Sequence, residues 1–155
     1  MIWSKRLPSL LLLSGLLTAC SASSPSAPSP VVKIRATTSF GLCVGYCRTT
    51  LEITSQEAVF LRESQNSTLP DQRSTAPVSA ADWAALVQAV DRRHLEALPE
   101  VIGCPDCADG GAESLSIGGS EAQSVSFEYG AAIDQARPLL ERVRALRAKL
   151  TPSEH

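Results

Sequence analysis

Thr37-Thr38-Ser39-Phe40-Gly41-Leu42-Cys43-Val44-Gly45-Tyr46-Cys47-Arg48-Thr49-Thr50-Leu51-Glu52-Ile53-Thr54 is the stretch on which the fold turns. Two cysteines flank Val44-Gly45-Tyr46 at the head of a segment where Thr49, Leu51 and Ile53 oppose Arg48, Thr50 and Glu52. A period of two is the mark of a half-buried strand. Upstream, Val32, Ile34 and Ala36 alternate with Lys33, Arg35 and Thr37, so Val31 to Ser39 reads as another strand. Downstream, the short apolar run Ala58 to Leu61 can pair back through a turn near Ser55-Gln56. These segments predict a meander of antiparallel strands.

Further along, Ser64 to Pro77 is polar and contains proline, so it reads as an exposed loop. It includes Asn66-Ser67-Thr68, a chance match to a glycosylation sequon. Ser79-Ala80-Ala81-Asp82 resembles a capping box, with Asp where Glu or Gln is usual. Trp83, Leu86, Val87 and Val90 then recur at helical spacing, which predicts a helix from Ser79 to Arg92 or Arg93. Leu95, Leu98 and Val101 continue as an irregular connector past Pro99. Gly103 to Gly111 forms a loop carrying a second cysteine pair. Glu113 to Ile117 and Gln123 to Tyr129 both alternate and are joined through Gly118-Gly119-Ser120, a hairpin pattern. Arg137 to Leu150 reads as the last helix, with Pro138 in its first turn. Leu139, Leu140, Val143, Leu146 and Leu150 are its expected buried face, and Arg142, Arg144, Arg147 and Lys149 its expected solvated one. The order βββ-α-ββ-α predicts an α+β domain over residues 31–150, one antiparallel sheet packed by two helices, with 151–155 as a tail.

The first residues are of another kind. Lys5 and Arg6 precede an apolar run, Leu10 to Leu17, that is too short to span a bilayer, which takes about 20 residues. Leu17-Thr18-Ala19-Cys20 closes the run. This order resembles the lipobox of bacterial lipoproteins, where cleavage falls just before the cysteine. The resemblance implies a signal peptide over residues 1–19 and a mature chain starting at Cys20 with lipid on its sulfur and amino group. Several acyl chains such as palmitate, at about 0.8 kcal/mol per buried methylene, hold a protein on a membrane almost permanently. Ser21 stands where the enterobacterial inner-membrane retention signal has Asp. By that analogy the location is the outer membrane, facing the periplasm. Residues 20–30 are the lipidated Cys20 and a Ser/Pro-rich tether, which at about 3 Å per residue reaches roughly 30 Å.

Charge and composition narrow the function classes. The chain of 155 residues carries a net charge of −2, with 19% charged and 44% apolar residues, within the globular range. Loss of residues 1–19 removes Lys5 and Arg6 and no acid, taking the net charge from −2 to −4. No basic footprint for nucleic acid is present. The sequence lacks Gly-x-Ser-x-Gly, a phosphate-binding loop and His-rich metal motifs, so it offers no catalytic constellation and calls for no cofactor. His94, beside Arg92-Arg93 at a helix end, reads as a solvated histidine.

Of the 5 cysteines, all but Cys20 lie in the domain, in two clusters expected to sit close together in the fold, and their chemistry admits three readings. Disulfides are the default outside the cytoplasm. Local pairs are favoured, because Cys43 and Cys47 flank a plausible three-residue hairpin loop that would face their Cα atoms across the ladder, about 5 Å apart. Closing so short a loop contributes about 2 kcal/mol, against about 4 for a bridge between the two clusters. Alternatively, Cys43, Cys47, Cys104 and Cys107 supply four thiolates to a structural zinc. In the third reading, Cys104-Pro105-Asp106-Cys107 is a thiol-redox pair, although Ala108-Asp109-Gly110-Gly111 breaks rather than starts the helix such chemistry uses. Asp106, Asp109 and Glu113 with Gly110-Gly111 lack the spacing of an EF-hand calcium loop.

Gly41-Leu42-Cys43 and Tyr46, followed by Thr49, Leu51 and Ile53, resemble a family of small secreted bacterial domains of unknown function with a Gly-x-Cys-x-x-Tyr motif. Many members carry Pro directly after the cysteine, where this chain has Val44. The resemblance implies a small, often lipid-anchored α+β domain and supplies no catalytic residues. The expectation from the whole sequence is a non-enzymatic, disulfide-stabilised envelope module. Its partners are the membrane, through its lipid, and another envelope protein or ligand. The alternative is a periplasmic thiol-redox or zinc-binding module.

Overall fold

A computed structural model of the protein describes residues 30–65, 69–118 and 123–152. The expected signal peptide, the lipobox-like stretch with Cys20, the expected tether up to residue 29, the sequon match 66–68, residues 119–122 and residues 153–155 lie outside the described residues. Among the described residues, no helix is long and apolar enough to cross a membrane.

The expected meander is present and longer than anticipated. Strands β1 (Lys33–Ser39), β2 (Tyr46–Ile53) and β3 (Glu57–Ser64) pair antiparallel, with Ile34 opposite Ile53, Ala36 opposite Leu51, and Leu51 opposite Phe60. A fourth strand, β4 (Gln72–Pro77), lies in the segment read as an exposed loop. Its sequence hides it: an edge strand has only one ladder to satisfy, and of its residues only Ala76 and Pro77 are apolar. Ala76 faces Ala58 across the ladder.

Ser79 caps α1 (Ala80–Ala89) as its sequence predicts, accepting a hydrogen bond from the Asp82 amide at 3.0 Å. The helix stops earlier than expected. Val90 turns extended, and Asp91 caps a separate short helix, α2 (Arg92–Glu96), by accepting the His94 amide. Asp91 thus outcompetes continuation of the first helix, as expected for a side chain that satisfies an orphan amide. The supposed connector is therefore partly helix. It ends in β5 (Val101–Ile102), which runs parallel to a later strand, so the sheet is mixed rather than wholly antiparallel.

The hairpin of β6 (Ala112–Gly118) and β7 (Gln123–Glu128) forms as expected, and β6 inserts beside β1. Among the described residues the sheet has 7 strands in the order β4-β3-β2-β1-β6-β7-β5. A final helix, α3 (Arg137–Leu150), matches its expected span. The result is one small α+β domain with three α-helices among the described residues, more elements than the βββ-α-ββ-α expectation held.

Alternation along the strands puts Ile34, Ala36, Leu51, Ile53, Ala58, Phe60, Leu115, Ile117, Val125 and Phe127 on one face of the sheet. Against them pack Leu86 of α1, Leu95 of α2, and Leu139, Leu140 and Val143 of α3. Leu146 and Leu150, expected to be buried, are only partly covered. Each large apolar side chain taken out of water here contributes about 1.5–3 kcal/mol. The other face of the sheet carries no helix-facing core residue.

Candidate functional site

The β1–β2 connection begins at Phe40, whose amide donates to the Cys47 carbonyl at 3.0 Å. The turn is wider than the three-residue hairpin expected from the sequence. Ser39 faces Arg48, so Cys43 sits inside the loop and is not the ladder partner of Cys47. The structure nevertheless joins Cys43 to Cys47, with Cα atoms 5.5 Å apart. Gly45 takes a positive φ of 90°, a conformation that favours glycine, and this closes the loop. Cys47 is buried under it, while Leu42 is 79% exposed and Val44 fully so. Tyr46 ties the base of the loop down: its hydroxyl donates to the Pro70 carbonyl at 2.9 Å, and the Arg62 guanidinium lies 4.5 Å over its ring.

The second cysteine loop, 103–111, is joined the same way, Cys104 to Cys107, again with Cα atoms 5.5 Å apart. Asp106, Ala108 and Asp109 all adopt positive φ, and a single 3-10 turn over Cys107–Asp109 is the only helical structure here. Backbone bonds fix the loop: the Gly111 carbonyl accepts from both the Asp106 and Tyr129 amides, each at 3.1 Å. The Glu128 carboxylate accepts from the Cys104 amide at 3.2 Å.

β1 ends, β2 begins, β6 begins and β7 ends on the same side of the sheet, so the topology brings both cysteine loops together, as their sequence suggested. Two contacts join them. The Gly41 amide donates to the Asp106 carboxylate at 3.2 Å, and the Phe40 and Tyr129 rings meet edge-on at 4.9 Å. Gly41 and Gly111 make this approach possible. A Cβ on Gly41 would come within 2.7 Å of Asp106 Oδ2, and one on Gly111 within 2.4 Å of Phe40. The outcome is a rigid end bearing two closed cystine loops, with Leu42, Val44 and Tyr129 standing out into solvent.

Behind this end lies a constellation that sequence reasoning missed. The Glu113 side chain is wholly buried and accepts from Arg144 Nη2 at 2.6 Å and Arg147 Nη1 at 3.0 Å. Arg144 also donates to the Ala131 carbonyl at 2.9 Å. Arg144 and Arg147 therefore do not belong to a solvated basic face of α3. One turn apart, they lie beside Val143 on the packed side. The available clue was the phase of Glu113, which it shares with Leu115 and Ile117.

Of the acids in the calcium-like arrangement, Glu113 is held by two guanidiniums and Asp106 accepts from a backbone amide. Among the described residues, no group of three or more His, Cys, Asp or Glu side chains could hold a metal ion. His94 Nδ1 lies 2.7 Å from Asp91 Oδ2 on the exposed surface of α2.

A scan against protein-family models finds no match for this chain, and a search of curated protein sequences finds none either.

Proposed function

We propose that the protein is a lipid-anchored component of the bacterial cell envelope, held at the membrane through Cys20. It acts there as a non-enzymatic module that binds another envelope protein through its disulfide-closed end. One observation carries this reading. Two cystine loops are locked together at one end of the sheet and leave Leu42 and Val44 exposed at 79% and 103%. Exposed apolar side chains on a rigid support are the usual raw material of a docking surface. The tether would enter at Lys33, at the opposite end of β1, which leaves the cystine end free to meet a partner away from the lipid.

A photo-crosslinking residue placed at Val44 tests the proposal in cells. A discrete protein adduct is expected there and not from Ser55, in the turn at the other end of the sheet. A Cys20→Ser variant is expected to lose both the lipid and the adduct. Equal labelling from both positions, or none from Val44, overturns the reading.

The exposure of both Cys104 and Cys107 favours a second reading, in which that pair exchanges disulfides with a periplasmic dithiol. In that case a Cys104→Ser/Cys107→Ser variant loses exchange activity while the Val44 adduct persists.

A further inference from the structure

The face of the sheet opposite the helices holds a second site. Residues Arg73, Leu61, Thr50, Thr37 and Ser114 form one row across strands β4, β3, β2, β1 and β6. At about 4.8 Å per strand, the row runs roughly 19 Å. Arg48 and Arg35 lie in the rows on either side of it. The twisted face encloses a groove of about 460 Å³ lined by these side chains. Thr50 is only 7% exposed at its floor.

Three guanidiniums, Arg35, Arg48 and Arg73, meet there in a chain whose net charge is negative. Arg35 stands 3.5 Å from Glu52. Arg48 and Arg73 make no side-chain hydrogen bond or ion pair among the described residues. Arg48 faces Glu63 across the ladder without bonding to it, and Arg73 faces Leu61, so both forks keep N–H groups free for a ligand.

We propose that this groove binds a carboxylate-bearing oligosaccharide. Arginine presents parallel N–H groups that match a carboxylate. Thr37, Thr50 and Ser114 donate to and accept from sugar hydroxyls, and Glu52 and Glu63 accept from them. The two glutamates also disfavour a densely charged phosphate chain, which suits the groove to single charges spaced along a polymer. An acidic peptide is a poorer match. Ladder hydrogen bonds occupy the backbone of β1, β2 and β3 on both sides, so a peptide main chain finds no partner on this face. Among the described residues no aromatic ring lines the groove, so a neutral sugar finds no stacking platform there. The site is independent of the cystine end and of the partner proposed for it.

Titration calorimetry of the full-length protein in detergent with oligogalacturonate tests this. Binding is expected, weakening with added salt, and absent for the same oligosaccharide with its carboxylates esterified. Arg48→Gln and Arg73→Gln should each weaken it about tenfold. Both side chains are exposed, so circular dichroism should show these variants folded as the parent is. No binding by the parent protein, undiminished binding in the double variant, or equal affinity for polyglutamate overturns the proposal.

Discussion

Glu113 is the residue whose environment is furthest from what its chemistry prefers. A carboxylate with a fully buried side chain is tolerable because Arg144 and Arg147 surround it with charge-assisted hydrogen bonds. Removing one member leaves the others charged and uncompensated. Glu113→Leu is therefore expected to cost about 3 kcal/mol in urea unfolding. The combined Glu113→Leu/Arg144→Met/Arg147→Met variant should lose clearly less, because it removes every buried charge together. A single variant as stable as the parent would show that the cluster is solvated. Asp91 offers a test by pH. The His94 backbone amide, with the His94 ring beside it, holds its carboxyl below the ordinary aspartate value of 3.8. A depressed folded value means that the cap stabilises fully above 3.8 and is lost as the pH falls through the lower folded value. An NMR titration should place the Asp91 midpoint below 3.8, and a midpoint at or above it contradicts the cap.

At the scale of elements, the cystine loops depend on each other through Asp106. Asp106→Ala removes the acceptor of the Gly41 amide, a bond of net worth about 1 kcal/mol. Exchange of the Gly41 amide with deuterium should quicken about fivefold while that of Leu51, in the central ladder, stays unchanged. Unchanged exchange at Gly41 would mean that the loops are held apart from each other. Elements with strong periodicity were legible in the sequence. β1, β2 and α3 follow their apolar repeats, and Ser79 caps α1 where its capping residues stand. What was not legible lacks periodicity for a physical reason. β4 needs few apolar residues because it has only one neighbour, and β5 is held by only two residue pairs with β7. α1 ends early because Asp91 starts a competing cap, which no apolar stripe reports. The cysteine clusters were foreseeable neighbours. The Glu113 cluster was not, because its arginines alternate with exposed residues on α3 and look like a solvated face.

The whole molecule is two-sided and two-ended. One face of the sheet is covered by three helices and the other is open, polar and crossed by arginines. One end carries the cystine loops, and the other receives the chain from its N-terminal segment. This division would let the proposed lipid anchor, protein-docking end and glycan groove coexist without competing for surface. The docking end presumes that the domain cysteines are closed in local pairs, as structural bonds and not as thiolates. The most direct test is a tryptic map of the full-length chain, made in a bacterial envelope and purified without reductant. Arg35 and Arg48 bound one peptide holding Cys43 and Cys47, and Arg93 and Arg142 bound another holding Cys104 and Cys107. The account predicts each peptide lighter by two hydrogens, with no link between them and no free thiol. Free thiols, a bound metal, or the two peptides joined to each other would contradict it.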